Sequence, residues 1–314
     1  MIIYMENKCE LLSSKGILKS CCLHSDSASS SSPQELTYRV DKENAKIRKT
    51  PSVYIPVASL KFFCKSILPA LKAPVVLVTG DSDLSIPNKR IDCHSVARIL
   101  GHPMIKRWYC QNLCCRVQNL YPLPIGLDYH TVSYMEKWGE EITKPIDQEL
   151  QIKNIKQKSK PFWEREYKCY INFQSSMHHK SGEPVEYADV RKAALQYINK
   201  DICYFQEGVL SRGETWTKQA EYAFVVSPPG NGIDCHRTWE ALNLGCIPII
   251  IRMHFTDDYM EWQLGCYDDL PVLIVDRWED ISQKLLDDTI ETFREREFNY
   301  DKLTLKYWVD KIHE

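Results

Sequence analysis

No apolar run in this chain approaches the roughly 20 residues that a bilayer-spanning helix needs, so a membrane span is not expected. The opening residues, MIIYMENKCELL, lack the basic n-region, long apolar core and small-residue cleavage site of a secretory signal. An excess of charge of one sign is lacking too. Over 314 residues the formal net charge is −2, with 44% hydrophobic and 26% charged residues. That is an ordinary globular composition. It lacks the basic excess of a dominant nucleic-acid or anionic-membrane surface. Paired CxxC spacing is also missing. The thirteen cysteines include clusters at Cys21–Cys22 and at Cys110, Cys114 and Cys115, but none has the spacing of a structural zinc site. An odd count without a signal segment points to reduced thiols, buried as small apolar side chains in a cytosol-like compartment. The expectation is a cytoplasmic protein with no membrane span and no nucleic-acid partner.

What is present is an alternation of short apolar runs and helical patterns. Residues 1–50 are the least patterned, with the polar stretch SDSASSSSP (25–33) and the charged stretch DKENAKIRK (41–49). Neither can bury much apolar surface, so this part reads as a variable, partly disordered lead-in. From there SVYIPV (52–57), APVVLV (73–78), PMIKRWYC (103–110) and YPLPIGLDYH (121–130) read as strands and strand–loop units. Helical patterns stand between them at SLKFFCKSILPAL (59–71) and IDCHSVARIL (91–100). Residues 136–165 are highly charged and break the alternation, so a domain boundary is expected at 165/166. A second alternation follows. Strands are expected at 168–174, 202–206, 223–227, 246–251 and 271–275, and helices at 187–198, 215–222, 235–244 and 279–293. Strands alternating with helices imply parallel βαβ units. The expected fold is α/β: two Rossmann-like domains with parallel sheets, over 51–165 and 166–314, with a cleft at the carboxyl ends of their strands.

The most informative stretch is FVVSPPGNGIDCHRTWEALNLGCIPII (224–250). Pro228 and Pro229 cannot continue a central strand. Ser227 ends it, and Gly230, Asn231 and Gly232 form a turn in which glycine permits positive φ and leaves room for a ligand. Asp234 stands where a helix N-cap is expected. The helix start would offer free N–H groups and a positive dipole end to phosphate. Arg237 in its first turn could add a bidentate contact. Glu240, on the same face three residues later, could accept from the vicinal hydroxyls of a ribose. Trp239 and Leu242 would point into the packing. The plainer alternative is that Asp234 only caps the helix, while Arg237 and Glu240 only pair with each other. A Cys235–His236 nucleophile pair is poorly arranged, because adjacent helical residues face different ways.

SPPGNGIDCHRTWEALNLGCIPIII resembles the nucleotide-sugar-binding segment of exostosin-like glycosyltransferases, above all the small cytoplasmic or virus-encoded relatives. LVTGDSDLSIP (77–87), PIGLDYHT (124–131) and YDDLPVLIVDRWEDI (267–281) agree in order, so the resemblance covers about residues 74–293. It implies a GT-B fold of two facing Rossmann-like domains, the C-terminal one holding the donor. It also implies transfer of a sugar from a nucleoside diphosphate, UDP first and GDP second, to a glycan or glycoprotein hydroxyl, with inversion and no required metal or other cofactor. Carried over residue by residue, Gly230, Asn231 and Gly232 would approach the diphosphate, Arg237 would bind it and Glu240 would hold the ribose. Arg191 is a further phosphate candidate, or else an exposed helix arginine.

An inverting transferase needs a base for the acceptor hydroxyl and stabilisation for the departing diphosphate. Loops at the ends of expected strands offer Asp81 and Asp83 in TGDSD, and Asp128 and His130 in GLDYH. Asp83 and Asp128 rank ahead of His130, although turn and cap roles are common for such aspartates. His178 and His179 either face the donor or lie in a solvated loop. Asp81-Ser82-Asp83 also matches the DxD metal pattern of a different glycosyltransferase fold, a pattern common by chance. Competing readings are a sugar-nucleotide epimerase or hydrolase, a non-catalytic nucleotide-sugar-binding protein, and a structural scaffold.

Overall fold

The computed structural model of the chain describes residues 6–25, 38–40, 50–88, 91–174, 187–256, 259–260 and 262–314. His178, His179, residues 41–49 and most of the SDSASSSSP stretch lie outside the described residues. The described chain forms two compact units. One holds the residues up to Ile125 together with His254–Cys266 and Thr304–Glu314; the other comprises Gly126–Met253 and Tyr267–Leu303.

The first unit is built on a sheet ordered β2-β1-β3-β4-β5-β6. Its strands are β1 (Leu23–Ser25), β2 (Tyr38–Val40), β3 (Ser52–Pro56), β4 (Val75–Gly80), β5 (Ile105–Cys110) and β6 (Leu120–Pro122). All neighbouring pairs are parallel except β1 with β2. β4, VVLVTG, is buried along its whole length, as an apolar run covered on both faces requires. The lead-in expectation fails where the chain is described. Helix α1 (Ser14–Ser20) is capped by Ser13, and Leu12, Ile17, Leu18, Cys21 and Cys22 are buried. The low-complexity stretches hide the fact that the residues before them carry a compact apolar face. The helix expected over 59–71 is irregular: an α-turn (Leu60–Phe62) runs into a π-turn and then a 3-10 turn containing Pro69, which has no amide donor. Helix α2 (Cys93–Leu100) follows, capped by Asp92, which accepts from Ser95 N at 2.8 Å.

The second unit begins with α3 (His130–Tyr134) and α4 (Pro145–Lys158). Its sheet comprises β7 (Glu166–Ile171), β8 (Cys203–Phe205), β9 (Tyr222–Val226), β10 (Ile247–Ile251) and, beyond a ribbon of β11 (His254–Thr256) and β12 (Tyr259–Met260), β13 (Leu273–Val275). The order is β13-β10-β9-β7-β8, all parallel. Counting within the sheet, the order is 2-1-3-4-5, a doubly wound topology that reverses between β7 and β9. Right-handed crossovers then put α5 (Ala188–Tyr197) on one face and α6 (Arg212–Gln219) and α7 (His236–Asn243) on the other. α8 (Gln283–Arg294) joins α5, and Ala194, Ile198, Leu286 and Ile290 pack with Ile171, Phe224, Val226 and Ile249 in one core. The chain ends in α9 (Leu305–His313), which belongs to the first unit: Leu305 N donates to Glu10 O, and Tyr109 Oη donates to Lys311 O at 2.6 Å.

The observed division differs from the expected 165/166 boundary. Residues 126–165 belong with the second unit, because Gln148, Glu149 and Ile152 on the charged helix α4 are buried there. Residues 254–266 and 304–314 return to the first. Gln263 secures that return by hydrogen bonds with Leu113 and Leu123. Among the described residues no helix is long and apolar enough to cross a membrane. All thirteen cysteines are free thiols, and most are buried.

Candidate functional site

In a doubly wound sheet, ligands bind beyond the carboxyl ends of the strands where the winding reverses. Here that point lies between β7 and β9. β7 runs into Asn172, Phe173 and Gln174, and β9 runs into Ser227-Pro228-Pro229-Gly230. The motif singled out in the sequence therefore falls at the switch point of its own sheet.

Two arginines meet there. Arg191 on α5 is only 6% exposed, so it is no surface arginine. Its Nε donates to Pro229 O at 2.8 Å and its Nη1 to Gln174 O at 3.1 Å, which ties the end of β7 to the end of β9. Arg237, in the first turn of α7, makes a long contact from Nη1 to Pro228 O at 3.4 Å. Both guanidinium groups lie over the ring of Phe173, at 5.9 and 5.6 Å. Among the described residues no carboxylate pairs with either. Burial first, and then the Arg237 charge, push the Arg191 pKa down to about 10, which still leaves it a cation at neutral pH. Two cations held together in this way repel each other, and a bound anion relieves the repulsion.

The loop itself is shaped by side-chain links. Ser227 Oγ is 2.9 Å from Thr238 Oγ1 and 3.3 Å from Cys235 Sγ, which fastens the strand end to the helix start. Gly230 N donates to Gly232 O, and Asn231 is exposed at the tip. Neither Gly230 nor Gly232 adopts the positive φ expected of them. A Cβ at Gly230 would find its nearest neighbour, Arg191 Nη2, at 3.5 Å. Glycine there keeps the face of Arg191 open rather than relieving a clash.

The cap expectation is also corrected. The N-cap of α7 is Cys235, and no side chain caps the helix, whereas α1, α2, α6, α8 and α9 each have a capping side chain. Asp234 is buried and turned into the packing. Its Oδ1 accepts from Trp239 Nε1 at 2.9 Å and from Tyr267 Oη at 2.6 Å. The reason is local: Trp239 has a buried indole N–H that needs an acceptor. Trp239 and Leu242 are buried as expected, and Gly245, at φ +75°, closes α7. Arg237 and Glu240 form no ion pair, and Glu240 is half-buried. Asn172 Oδ1 is buried and has no hydrogen-bond partner among the described residues.

A second group of residues in the same unit surrounds Asp128. Its Oδ1 accepts from Thr131 N at 2.9 Å and its Oδ2 from Thr131 Oγ1 at 2.7 Å, while His130 Nδ1 lies 3.0 Å from Oδ1. Burial acts to raise the Asp128 pKa. The contact with His130, the nearby His236 and His130 charges and the Thr131 amide outweigh it and hold the carboxyl well below the usual range. His236, the first residue of α7, places Nδ1 2.7 Å from Gly126 O, and its ring centroid is 6.3 Å from that of His130. Beneath this loop Arg212 donates to Asp128 O and Gln148 Oε1 and lies over the Trp216 ring at 4.5 Å. Asn172 and Arg212 escaped the sequence reading, and His236 entered it only as half of the poorly arranged Cys235–His236 pair. Asn172 could have been found from its place just after an apolar run.

The remaining candidates sit in the first unit. Asp81 is ion-paired with Lys15 of α1, and its amide donates to Gln111 Oε1 at 2.9 Å. Asp83 is exposed. Among the described residues no group of three His, Cys, Asp or Glu side chains is arranged to hold a metal ion. A groove of about 1220 Å³ in the second unit, lined by residues of α4 and α6, shares no residue with the switch-point loop. Compared with known proteins, the chain matches no family model and no curated sequence.

Proposed function

We propose that this protein is a glycosyltransferase of GT-B type that moves a sugar from a nucleoside-diphosphate sugar, UDP before GDP, to a glycan or glycoconjugate hydroxyl. The observation that carries the reading is the pair of guanidinium groups, Arg191 and Arg237, without a carboxylate partner among the described residues, at the switch point of a doubly wound sheet. A diphosphate supplies the charge and the fork-shaped acceptors that such a pair needs. The uncapped start of α7 adds N–H groups and a dipole of the same sign. Glu240, one helical turn on and unpaired with Arg237, is free to accept from a ribose. The likeness of 224–250 to exostosin-like sequences supports the sugar half of the reading.

In such a reaction the developing charge on the departing diphosphate falls to Arg191 and Arg237, which would do the work of a metal ion. Inversion and metal independence are part of the proposal. The test is UDP release from a panel of UDP-sugars, with and without sugar acceptors and with EDTA present. Release that depends on an acceptor and survives EDTA is the expected result. Equal release without acceptor marks a hydrolase, and loss in EDTA removes the metal-free mechanism.

A further inference from the structure

We propose that His236 is the general base of this transfer, taking the acceptor's hydroxyl proton at Nε2, with Asp128 balancing the charge it gains. The inference rests on the nucleotide-sugar reading and assigns a group that reading requires.

The tautomer follows from the hydrogen bond. Gly126 O, 2.7 Å from Nδ1, can only accept, so Nδ1 carries the proton and Nε2 offers a lone pair. Asp128 itself is poorly suited to the task. Both its oxygens are engaged by Thr131, and a carboxylate held this firmly in the ionised form is a weak proton acceptor. His130 Nδ1 is turned directly onto that carboxylate at 3.0 Å, so this ring is held by Asp128. His236 instead faces a neutral carbonyl. Asp128 is still close enough for their charges to interact, so an imidazolium formed at His236 finds a counter-ion. His236 also directly precedes Arg237 at the start of α7. Proton acceptor and diphosphate ligand thus stand on consecutive residues of one helix start, with side chains that leave it in different directions.

In the step, the acceptor oxygen bonds to the donor's anomeric carbon as its proton passes to Nε2. The bond from that carbon to the phosphate oxygen breaks, and its electron pair leaves with the diphosphate, facing Arg191 and Arg237. The imidazolium then returns its proton to solvent.

The test compares His236→Asn with His130→Asn in the full chain. Asparagine can keep a donor toward Gly126 O while removing the distal nitrogen. The probes are UDP for binding and UDP-glucose, UDP-galactose, UDP-N-acetylglucosamine and UDP-xylose with p-nitrophenyl glycosides for transfer. His236→Asn is expected to lower kcat by about 100-fold or more, with UDP affinity unchanged and the melting temperature retained. Added imidazole should restore part of the rate to His236→Ala. Turnover of His236→Asn within about threefold of wild type overturns the assignment. So does a loss of UDP affinity as large as the loss of rate, and so does a larger loss in His130→Asn. Wild-type protein that binds UDP but transfers from no donor removes the base and leaves the binding site standing. Wild-type protein that does not bind UDP removes both.

Discussion

The carboxyl ends of the strands differ between the two sheets. In the first unit the parallel strands add in one direction, and the loops beyond them are filled. A Cβ on Gly80 would lie 2.5 Å from Gln111 Oε1 and 2.6 Å from Tyr54 Oη. Asp81 is neutralised by Lys15, and Asn112 Nδ2 donates to Ser82 O. In the second unit the winding reverses, and the space beyond it is flanked by two cations with no acidic partner among the described residues and a glycine that nothing crowds. A closed, charge-balanced strand end contributes stability. An open, charge-unbalanced one costs stability, and on the proposed reading a ligand offsets that cost. That contrast supports the proposed site more than any single residue does.

Arg191→Ala attacks both aspects of the open end. It should weaken UDP binding by about 100-fold, equal to ~2.7 kcal/mol. It should also destabilise the fold by about 1.5–3 kcal/mol, through the lost charge-assisted bonds between the ends of β7 and β9. Calorimetry and urea unfolding read the two effects separately. The two glycines should respond oppositely. Gly80→Ala is expected to cost about 1–3 kcal/mol through overpacking, while Gly230→Ala should leave stability within about 0.5 kcal/mol and weaken UDP binding. Equal destabilisation would erase the contrast.

Asp128 gives a pH signature. Its folded-state pKa is depressed, so its contribution is complete above the unfolded value of about 4 and is lost as the pH falls toward the folded one. Asp128→Asn should therefore lower the melting temperature at neutral pH, and its gap to wild type should narrow below about pH 4. A gap that widens in acid would reverse the sign. The smallest effect is expected for exposed Asp83. Asp83→Asn should change stability by less than about 0.5 kcal/mol and leave UDP affinity alone.

Much of this was legible in the chain. The apolar runs located the central strands because buried parallel strands need continuous apolar faces: VVLVTG and AFVV are both buried throughout. Arg237 and the glycine loop were legible because a proline pair must end a strand before a helix can start. What local pattern could not show was pairing over distance. The Asp234 side chain belongs to Trp239 and Tyr267, 33 residues apart from it in the latter case. His236 gains its meaning from Gly126, 110 residues away. The unit boundary was missed because charge along α4 masks its few buried residues, and because the chain returns to its first unit at the end.

The most direct measurement is a calorimetric titration of UDP into the wild-type protein and into Arg237→Ala, with unfolding curves recorded for both. Saturable one-to-one binding by wild type is expected, weakened at least tenfold in the variant at unchanged stability, a loss of about 1.4 kcal/mol. Failure of the wild-type protein to bind UDP or GDP, or equal affinity in the variant, would contradict a diphosphate site at the β7–β9 switch point.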